Sequence, residues 1–468
     1  YWNYLSALPT VDHPSNGYWQ PLVSLTVVPF FALFGVNFAA AETAPILASI
    51  MLAALSFWIG YRLLGDRWSG LLVAGWSVSS GFYAAHATFP DTFSLYGLIG
   101  AGCIAATMAG MRGSRSALLV AGALAGLGVL TRSDGVLLFV ALGAGWAWAY
   151  VVVDRRLPTW SPSGKPLSVH RVTPGPEWLA ASLVLGFACV APWAIRNVAV
   201  FGGWTPPGSG HVLYLTEYND LLRWHIDVVD AKRFLGQGWH TIVLSRWQAA
   251  RTTAFTLAAA AEFLWLPFGL WGVWCCRAKS WMIPLSAYMV CMLIAMVVIL
   301  PFPAEHGTLI HSFAPLEPWV GVVGIWGLRD ALRRVGRAHV MPRYELLGLV
   351  YAALFSVGMI WLASTQWYAH RPSYATVEQS FLSQHAPAGE PVLVIDPPVF
   401  EYETGRPGLI LPFEGPTAAL EVARQYGARY VIWDTRKIDG KSPYSHIADD
   451  PHFTKRASLG GVDVYEIS

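Results

Sequence analysis

The residues best suited to chemistry are carboxylates, arginines and histidines that lie where apolar segments end. A carboxylate can take a proton from a hydroxyl group, and an arginine can hold a phosphate through two parallel hydrogen bonds. Such a set suits the transfer of a group from a lipid phosphate. The candidate catalytic residues are Asp91 and His311. Other polar residues at the ends of apolar segments are candidates for substrate binding: Arg132, Asp134, Arg196, Asn197 and His306.

Each of these residues also has a plainer interpretation. A long polar side chain at the end of a membrane span can reach the interface, and a basic one can set the orientation of the span. Glu262 and Glu317 differ, because they fall inside predicted spans, where an ionisable group is costly and indicates a functional site. Their plainer interpretation is a fraying span boundary. Glu262 is a further candidate substrate-binding residue.

The composition indicates a polytopic α-helical membrane protein. Of the 468 residues, 54% are hydrophobic and 13% charged, and charge-free runs of near-span length recur along the chain. The 23 tryptophans fit membrane interfaces. All five cysteines fall in or beside apolar runs, so no disulfide framework is indicated. A net charge of +2 gives no indication of a nucleic acid partner.

The apolar runs predict a transmembrane domain over residues 43–364, with about ten spans and a long outer loop, 196–250. Basic residues occupy every second short connection, which predicts that those connections are cytoplasmic and that the others face outward. The predicted spans are 43–64, 68–85, 92–111, 116–131, 135–153, 177–195, 253–275, 282–300, 312–328 and 345–363. The predicted outward segments are 1–42, 86–91, 131–134, 196–250, 301–311 and the tail after 364.

Residues 1–42 are predicted to form part of an outer loop. Their apolar run, 22–34, is shorter than the ~20 residues of a span and contains Pro29. The run therefore predicts a helix at the membrane surface. His13 and Tyr18, in the polar and aromatic stretch before it, are candidate substrate-binding residues.

Residues 375–468 have the character of a small extracytoplasmic α/β domain. Strands are predicted at 391–396, 429–433 and 462–467, and an amphipathic helix at 417–426. The sequence assigns this domain no role beyond acceptor contact or capping.

Taken in order, these motifs resemble the GT-C superfamily of polyprenyl-phosphate-dependent glycosyltransferases. More closely, they resemble the family 39-like branch, which includes protein mannosyltransferases and aminoarabinose transferases. The matching stretches cover most of the chain and are Trp2-Asn-Tyr-Leu, His13-Pro-Ser-Asn-Gly-Tyr-Trp-Gln-Pro-Leu22, the Asp91 loop, Leu130-Thr-Arg-Ser-Asp134, Pro192-Trp-Ala-Ile-Arg-Asn197 and Gly307-Thr-Leu-Ile-His-Ser312.

The resemblance implies that a sugar is transferred, with inversion, from a polyprenyl-phosphate donor to a glycan, lipid or protein acceptor. Asp91 corresponds to an acidic residue of the second outer loop that contributes to the active site and, in some branches, binds a metal. A divalent cation is therefore an open alternative. The resemblance places the main catalytic base before Tyr1 and implies a truncated N-terminus.

We expect one outward cavity bordered by Asp91, Arg132, Arg196 and His311, with Arg223 lying away from it in the long outer loop. Two other functions remain open at this stage. A transporter or flippase often shows internal repeats and interrupted spans near mid-membrane, and neither is evident here. A non-catalytic protein that binds a lipid-linked sugar would carry much the same residues.

Overall fold

The structure is a computed structural model that describes residues 19–153, 173–205, 209–370, 373–434 and 442–468. The described chain forms two compact units. The helical unit comprises Trp19–Arg196 and Val243–Ala363, and the mixed unit comprises Asn197–Ile242 and Ser364–Ser468. His13 and Tyr18 lie outside the described residues.

The described helices, in chain order, are α1 (Leu22–Phe34), α2 (Phe38–Leu64), α3 (Arg67–Ser79), α4 (Gly81–Ala84), α5 (Thr92–Gly110), α6 (Arg115–Thr131), α7 (Val136–Ala147), α8 (Pro176–Phe201), α9 (Ala231–Gly236), α10 (Trp239–Ala260), α11 (Leu266–Cys276), α12 (Met282–Ile294), α13 (Pro301–Pro303), α14 (Leu309–Phe313), α15 (Glu317–Arg334), α16 (Met341–His370), α17 (Tyr374–Val377), α18 (Ser383–His385), α19 (Pro397–Thr404) and α20 (Pro416–Tyr426). Short side chains begin several of them: Asn37, Asp66 and Ser114 each accept a backbone N–H from the first turn that follows.

The helical content confirms the polytopic fold class. Within the described residues, six helices are long and apolar enough to cross a membrane, and the chain is a multi-pass membrane protein. They are Phe38–Leu64, Thr92–Gly110, Ser133–Val152, Pro176–Phe201, Met282–Ile299 and Ala338–His385. The total of ten spans stays a prediction.

The predicted span 253–275 is wrong as one continuous helix. Helix α10 ends at Ala260 and α11 begins at Leu266. Between them Glu262 and Phe263 have φ values of 51° and 52°, a left-handed conformation that side chains with a Cβ rarely adopt. Pro267 stands in the first turn of α11, directly after this strained backbone, so a proline inside the predicted span is the sequence signal for the break.

Other boundaries shift by part of a helix. Helix α8 continues through Phe201, because the chain offers no helix-ending residue until Gly202, whose φ is 75°. Since α10 starts at Trp239, the predicted loop 196–250 is helical at both ends. Pro29 does not interrupt α1, which is a single 13-residue helix about 19 Å long. Its surface placement stays a prediction.

Two further spans are broken near one end. The predicted span 68–85 is split at Ser80, which lies between α3 and α4 in an extended conformation. In the predicted span 312–328, α14 ends at Phe313 and α15 begins at Glu317, with a 3-10 turn that contains Pro315 between them.

The mixed unit contains the predicted α/β domain. Its five-stranded sheet has the order β2-β1-β3-β5-β4, with β1 parallel to both β2 and β3 and the remaining pairs antiparallel. The strands are β1 (Val392–Val394), β2 (Gly408–Ile410), β3 (Tyr430–Asp434), β4 (Phe453–Leu459) and β5 (Val462–Ile467). Val394 pairs with both Ile410 and Ile432, which places the three buried apolar strands β2, β1 and β3 side by side in one half of the sheet.

The connection between α8 and α10 is built into the mixed unit. The Trp224 side chain is buried in the apolar core of the sheet domain. The Glu414 carboxylate accepts the backbone N–H groups of Trp224 and His225, each at 3.0 Å. The loop and the sheet domain therefore share one hydrophobic core.

A buried carboxylate holds the same loop together. Burial alone would raise the pKa of Asp220, but hydrogen bonds from Arg233, Arg223 and Thr216 outweigh it and lower the pKa to about 2. The Arg223 Nε lies 2.6 Å from Asp220. Arg223 is therefore a structural residue of this loop.

Helices α11 and α15 pack through facing glycines. A Cβ at Gly272 would lie 1.8 Å from the Val323 carbonyl oxygen, and one at Gly327 would lie 2.0 Å from the Phe268 carbonyl oxygen. Only glycine permits this backbone approach. At Gly269, one turn earlier on α11, a Cβ would meet nothing within 4 Å.

We expect Gly272→Ala to destabilise the protein, because the new methyl group must push two helix backbones apart at a cost of about 1–3 kcal/mol. Gly269→Ala is the matched control, and we expect it to leave stability unchanged or raise it by up to about 1 kcal/mol. Thermal unfolding of the purified protein in detergent measures both. Equal melting temperatures for the two variants would contradict the packing described.

Candidate functional site

Asp91 and His311 lie side by side. Asp91 is the N-cap of α5, and its carboxylate accepts the backbone N–H of Thr92. His311 lies on the short helix α14, and its Nε2 is 3.8 Å from the Asp91 carboxylate. The Asp91 side chain is 46% exposed and that of His311 18%. The predicted pair of candidate catalytic residues is thus brought together, with the carboxylate facing the open side.

Thr92 links this pair to Arg132. Its hydroxyl oxygen lies 2.8 Å from His311 Nδ1, and Arg132 Nη1 donates to the same oxygen at 3.4 Å. Because the guanidinium can only donate, the Thr92 hydroxyl proton is assigned to His311 Nδ1. His311 then carries its own proton on Nε2, directed at Asp91. The donors therefore run in one direction, from Arg132 through Thr92 and His311 to Asp91.

Burial controls the charge of His311. Removal of the ring from water, together with the positive charge of Arg132, lowers the pKa of His311 to about 2. The imidazole is therefore neutral at pH 7, as the proton assignment requires. Its contact with Asp91 is a polar contact between a neutral N–H and a carboxylate.

Arg132 is held by a second carboxylate. Its Nε donates to Asp134 at 2.9 Å and its Nη2 to the other oxygen of the same carboxylate at 3.5 Å. Both side chains are about one-tenth exposed. Ser312 also donates to Asp134, and this bond ties α14 to the turn between α6 and α7. The Nη1 edge of Arg132 is left facing Thr92.

The turn that carries Arg132 and Asp134 is very tight. A Cβ at Gly135 would lie 2.2 Å from the Gly128 carbonyl carbon, so the chain can reverse here only with glycine. Arg132 caps α6 in an extended conformation, and Ser133–Gly135 form one 3-10 turn before α7. The two charged side chains are fixed at the junction of two apolar helices.

Aromatic rings enclose the polar groups. The Phe93 ring stacks on the His311 ring with centroids 3.6 Å apart, and the Arg132 guanidinium lies over Tyr96, 5.9 Å from its centroid. The Tyr96 hydroxyl is 3.1 Å from that of Tyr288. These contacts orient the imidazole and the guanidinium before any ligand binds.

The remaining candidates have other surroundings. The Arg196 guanidinium stacks on Trp193, one turn earlier in α8, at 4.6 Å from the ring centroid. Asn197 is buried in the mixed unit and donates to the Trp204 carbonyl at 3.4 Å. The Nδ1 of His306 lies 2.9 Å from the carbonyl oxygen of Phe302. Their role in a common cavity stays a prediction.

Glu262 and Glu317 are both buried. Glu262 lies in the break between α10 and α11, where its backbone carbonyl accepts the Tyr351 hydroxyl at 2.8 Å. Glu317 begins α15 and lines a cavity of about 280 Å³ together with Tyr83 and Phe93. Within the described residues its Oε1 has no hydrogen-bond partner. The Phe93 ring that stacks on His311 therefore lines the same cavity as Glu317.

Thr92 and Phe93 were missing from the sequence-based candidates. Thr92 follows an aspartate at a predicted helix start, where threonine is ordinary, and Phe93 is one of many apolar residues. The only sequence signal for these two residues is their position, one and two residues after Asp91. Within the described residues, no group of three or more His, Cys, Asp or Glu side chains is arranged to hold a metal ion.

Comparison with known proteins identifies the class of the fold. The family model for dolichyl-phosphate-mannose-protein mannosyltransferase matches residues 12–165, about a third of the chain, including Asp91, Arg132 and Asp134. No curated protein matches the sequence at a significant level. The chain has the fold of GT-C membrane glycosyltransferases, as the resemblance of its motifs predicted. The narrower family 39 assignment stays an expectation.

The similar solved structures are distant in sequence. ArnT from Cupriavidus metallidurans in the apo state has a TM-score of 0.52 at 12% identity, covering 96% of this chain and 87% of ArnT. ArnT bound to undecaprenyl phosphate gives the same score and identity over 96% and 88%. The Archaeoglobus fulgidus oligosaccharyltransferase in complex with Zn and sulfate has a TM-score of 0.51 at 12% identity, over 96% of this chain and 64% of that enzyme.

We expect Thr92→Val to lower the stability of the site, because it removes the hydroxyl that joins Arg132 to His311 while keeping the shape of the side chain. A buried imidazole nitrogen left without its partner costs about 1–3 kcal/mol. Thr92→Ser keeps the hydroxyl and should recover most of the loss. Thermal unfolding in detergent compares the three proteins, and identical melting of the Val and Ser variants would contradict the link.

Proposed function

We propose that the chain transfers a sugar from a polyprenyl-phosphate donor to an acceptor hydroxyl or similar group on a glycan, lipid or protein. The observation that carries the proposal is the Arg132–Thr92–His311–Asp91 chain of polar contacts, which places a phosphate-binding cation and an exposed carboxylate in one site. The GT-C fold supports the proposal, and so does the similar structure of ArnT bound to undecaprenyl phosphate.

The donor phosphate is assigned to Arg132. Asp134 occupies two of the guanidinium nitrogens, so Nη1 remains to bind a phosphate oxygen in place of its long contact with Thr92. The side chain is only 12% exposed, and attraction between opposite charges is stronger there than in water. Because Asp134 and Tyr96 already fix the guanidinium, little ordering is needed when the phosphate arrives.

Asp91 is assigned to the acceptor. The acceptor oxygen attacks the anomeric carbon from the face opposite the phosphate, the bond between that carbon and the phosphate oxygen breaks, and the configuration inverts. The acceptor proton passes to a carboxylate, and the polyprenyl phosphate leaves with the bonding electron pair. The family resemblance assigns the role of main base to another residue. Asp91 is then the second carboxylate, which binds and polarises the acceptor.

His311 positions Asp91. Its neutral Nε2–H points at the carboxylate and its ring is clamped by Phe93, so the carboxylate keeps one edge free for the acceptor. Because the pKa of His311 is far below 7, we expect no inflection from this residue in the pH dependence of transfer between about pH 5 and 8.

The site is assigned to the outer face of the membrane, together with the mixed unit. The basic connections on the other side support this orientation through the positive-inside rule. The proposed steps involve no divalent cation. Asp91 and His311 supply two ligands, which is fewer than a closed metal site needs, and no step depends on a metal.

The test is the release of free polyprenyl phosphate from a panel of radiolabelled polyprenyl-phosphate sugars by membranes containing the full-length protein. We expect Asp91→Asn to lower this rate about 10- to 100-fold, because a charge-assisted hydrogen bond to the acceptor is lost. Arg132→Gln should lower it at least as much, since the phosphate loses its cation.

Asp230→Asn is the matched control. Asp230 also caps a helix, α9, by accepting a backbone N–H, and asparagine caps as well as aspartate does. Unchanged turnover in Asp91→Asn would remove Asp91 from the site. Binding of every donor without release of polyprenyl phosphate by the unmodified protein would instead favour a non-catalytic lipid-linked-sugar binder.

A further inference from the structure

Tyr288 on α12 is a buried tyrosine whose hydroxyl contacts two elements of the candidate site. The hydroxyl oxygen lies 2.7 Å from the Ser312 carbonyl oxygen on α14 and 3.1 Å from the Tyr96 hydroxyl on α5. Both tyrosines are 0% exposed and belong to the apolar core of the helical unit. Any effect of Tyr288 on a bound substrate must therefore pass through its neighbours.

The three groups fix the direction of these hydrogen bonds. A carbonyl oxygen can only accept, so the Tyr288 proton is assigned to the Ser312 carbonyl. The Tyr288 oxygen then accepts the hydroxyl proton of Tyr96. Donation runs from Tyr96 to Tyr288 and on to Ser312, and both bonds require the hydroxyl of Tyr288.

The two partners of Tyr288 flank the ion pair between Arg132 and Asp134. The Arg132 guanidinium lies over the Tyr96 ring, 5.9 Å from its centroid, and the Ser312 hydroxyl donates to the Asp134 carboxylate. Tyr288 thus holds one residue against the cation and another against the anion.

We propose that Tyr288 is a positioning residue for the phosphate site at Arg132. It fixes Tyr96 against the guanidinium and α14 against Asp134, so that Nη1 is already directed at the phosphate when the donor binds. The inference rests on the proposed function, because that function assigns the donor phosphate to Arg132. A tyrosine that only filled the core would need its ring and not its hydroxyl.

Loss of the Tyr288 hydroxyl has a specific consequence for Arg132. The Tyr96 hydroxyl loses its acceptor, and Asp134 interacts electrostatically with both hydroxyls. Because an unpaired buried donor is costly, the Tyr96 hydroxyl turns toward Asp134. It then competes with the bond from Arg132 Nη2 to Asp134, which at 3.5 Å is longer than the bond from Nε at 2.9 Å. The guanidinium loses one of its two fixed nitrogens.

The test combines the affinity of the full-length protein in detergent for polyprenyl phosphate, measured by native mass spectrometry, with the kinetics of donor turnover. We expect Tyr288→Phe to weaken binding about 3- to 10-fold, because buried hydrogen bonds that order the site are lost. The donor KM should rise by a similar factor with kcat little changed, since the phosphate is held both in the bound donor and in the transition state.

A double variant tests the mechanism of this effect. Tyr96→Phe keeps the ring under Arg132 and the bond from Tyr288 to Ser312, so it should weaken binding by no more than about twofold. In the variant that combines Tyr96→Phe with Tyr288→Phe, neither hydroxyl is left to compete for Asp134. The double variant should therefore bind polyprenyl phosphate about two- to fivefold more tightly than Tyr288→Phe alone.

Tyr444→Phe is the matched control. Tyr444 is also buried, and its hydroxyl lies 2.7 Å from the Pro412 carbonyl oxygen in the mixed unit. This substitution removes a comparable hydrogen bond from a tyrosine to the backbone without touching the partners of Arg132. We expect a similar loss of thermal stability in Tyr444→Phe and Tyr288→Phe, but unchanged affinity for polyprenyl phosphate in Tyr444→Phe.

Three results would overturn the inference: equal affinity of the unmodified protein and Tyr288→Phe, an equal loss of affinity in Tyr444→Phe, and a double variant that binds no more tightly than Tyr288→Phe alone. Arg132→Gln separates these failures from failure of the proposed function. If Arg132→Gln binds polyprenyl phosphate as well as the unmodified protein does, the proposed function fails and this inference fails with it. If Arg132→Gln loses binding and Tyr288→Phe retains it, only the role of Tyr288 fails.

Discussion

The ion pair between Arg132 and Asp134 is the interaction on which the candidate site depends. Both side chains lie at the junction of two apolar helices and are largely removed from water, where an unpaired guanidinium would be expensive. Asp134 offsets that cost and also accepts a hydrogen bond from Ser312. The Asp134 carboxylate thus stabilises the Arg132 cation in apolar surroundings and also holds α14 against the turn after α6.

That arrangement explains why Thr92 and His311 are ordered. With Nε and Nη2 turned toward Asp134, the guanidinium presents Nη1 to Thr92, and the Thr92 hydroxyl is left to donate to His311. The neutral imidazole in turn faces Asp91. Five side chains are therefore coupled: Asp91 and Thr92 at the start of α5, Arg132 at the end of α6, Asp134 in the following turn and His311 on α14. Binding of a phosphate at Arg132 would therefore affect Asp91.

Much of this site could be anticipated from the sequence, because charged residues at the ends of apolar runs lie at one membrane depth. Asp91, Arg132, Asp134 and His311 were found on that basis. The link through Thr92 could not be, because Thr92 and His311 are 219 positions apart and a threonine after an aspartate is common at helix starts. Side-chain contact across such a separation depends on how the helices pack, which hydropathy does not report.

The fold, like the candidate site, could be predicted from the sequence only in part. Apolar runs of sufficient length predict helices well, since an unsatisfied backbone is costly in lipid. The break at Glu262 has one sequence signal, Pro267 in the first turn of α11, but the left-handed backbone at the two residues Glu262 and Phe263 has none. In the mixed unit, β2 has only three residues and β4 alternates weakly, so both lack a strong strand pattern. The strands with continuous apolar runs, β1 and β3, were found.

The proposed function requires Arg132 to bind the phosphate of a polyprenyl-phosphate ligand beside Asp91 and His311. The most direct measurement is a cryo-electron microscopy structure of the full-length protein in lipid nanodiscs with polyprenyl phosphate bound. We expect a phosphate oxygen within hydrogen-bond distance of Arg132 Nη1, with Asp134 still bound to Nε. A phosphate bound at other residues, with Arg132 still directed at Thr92, would contradict it.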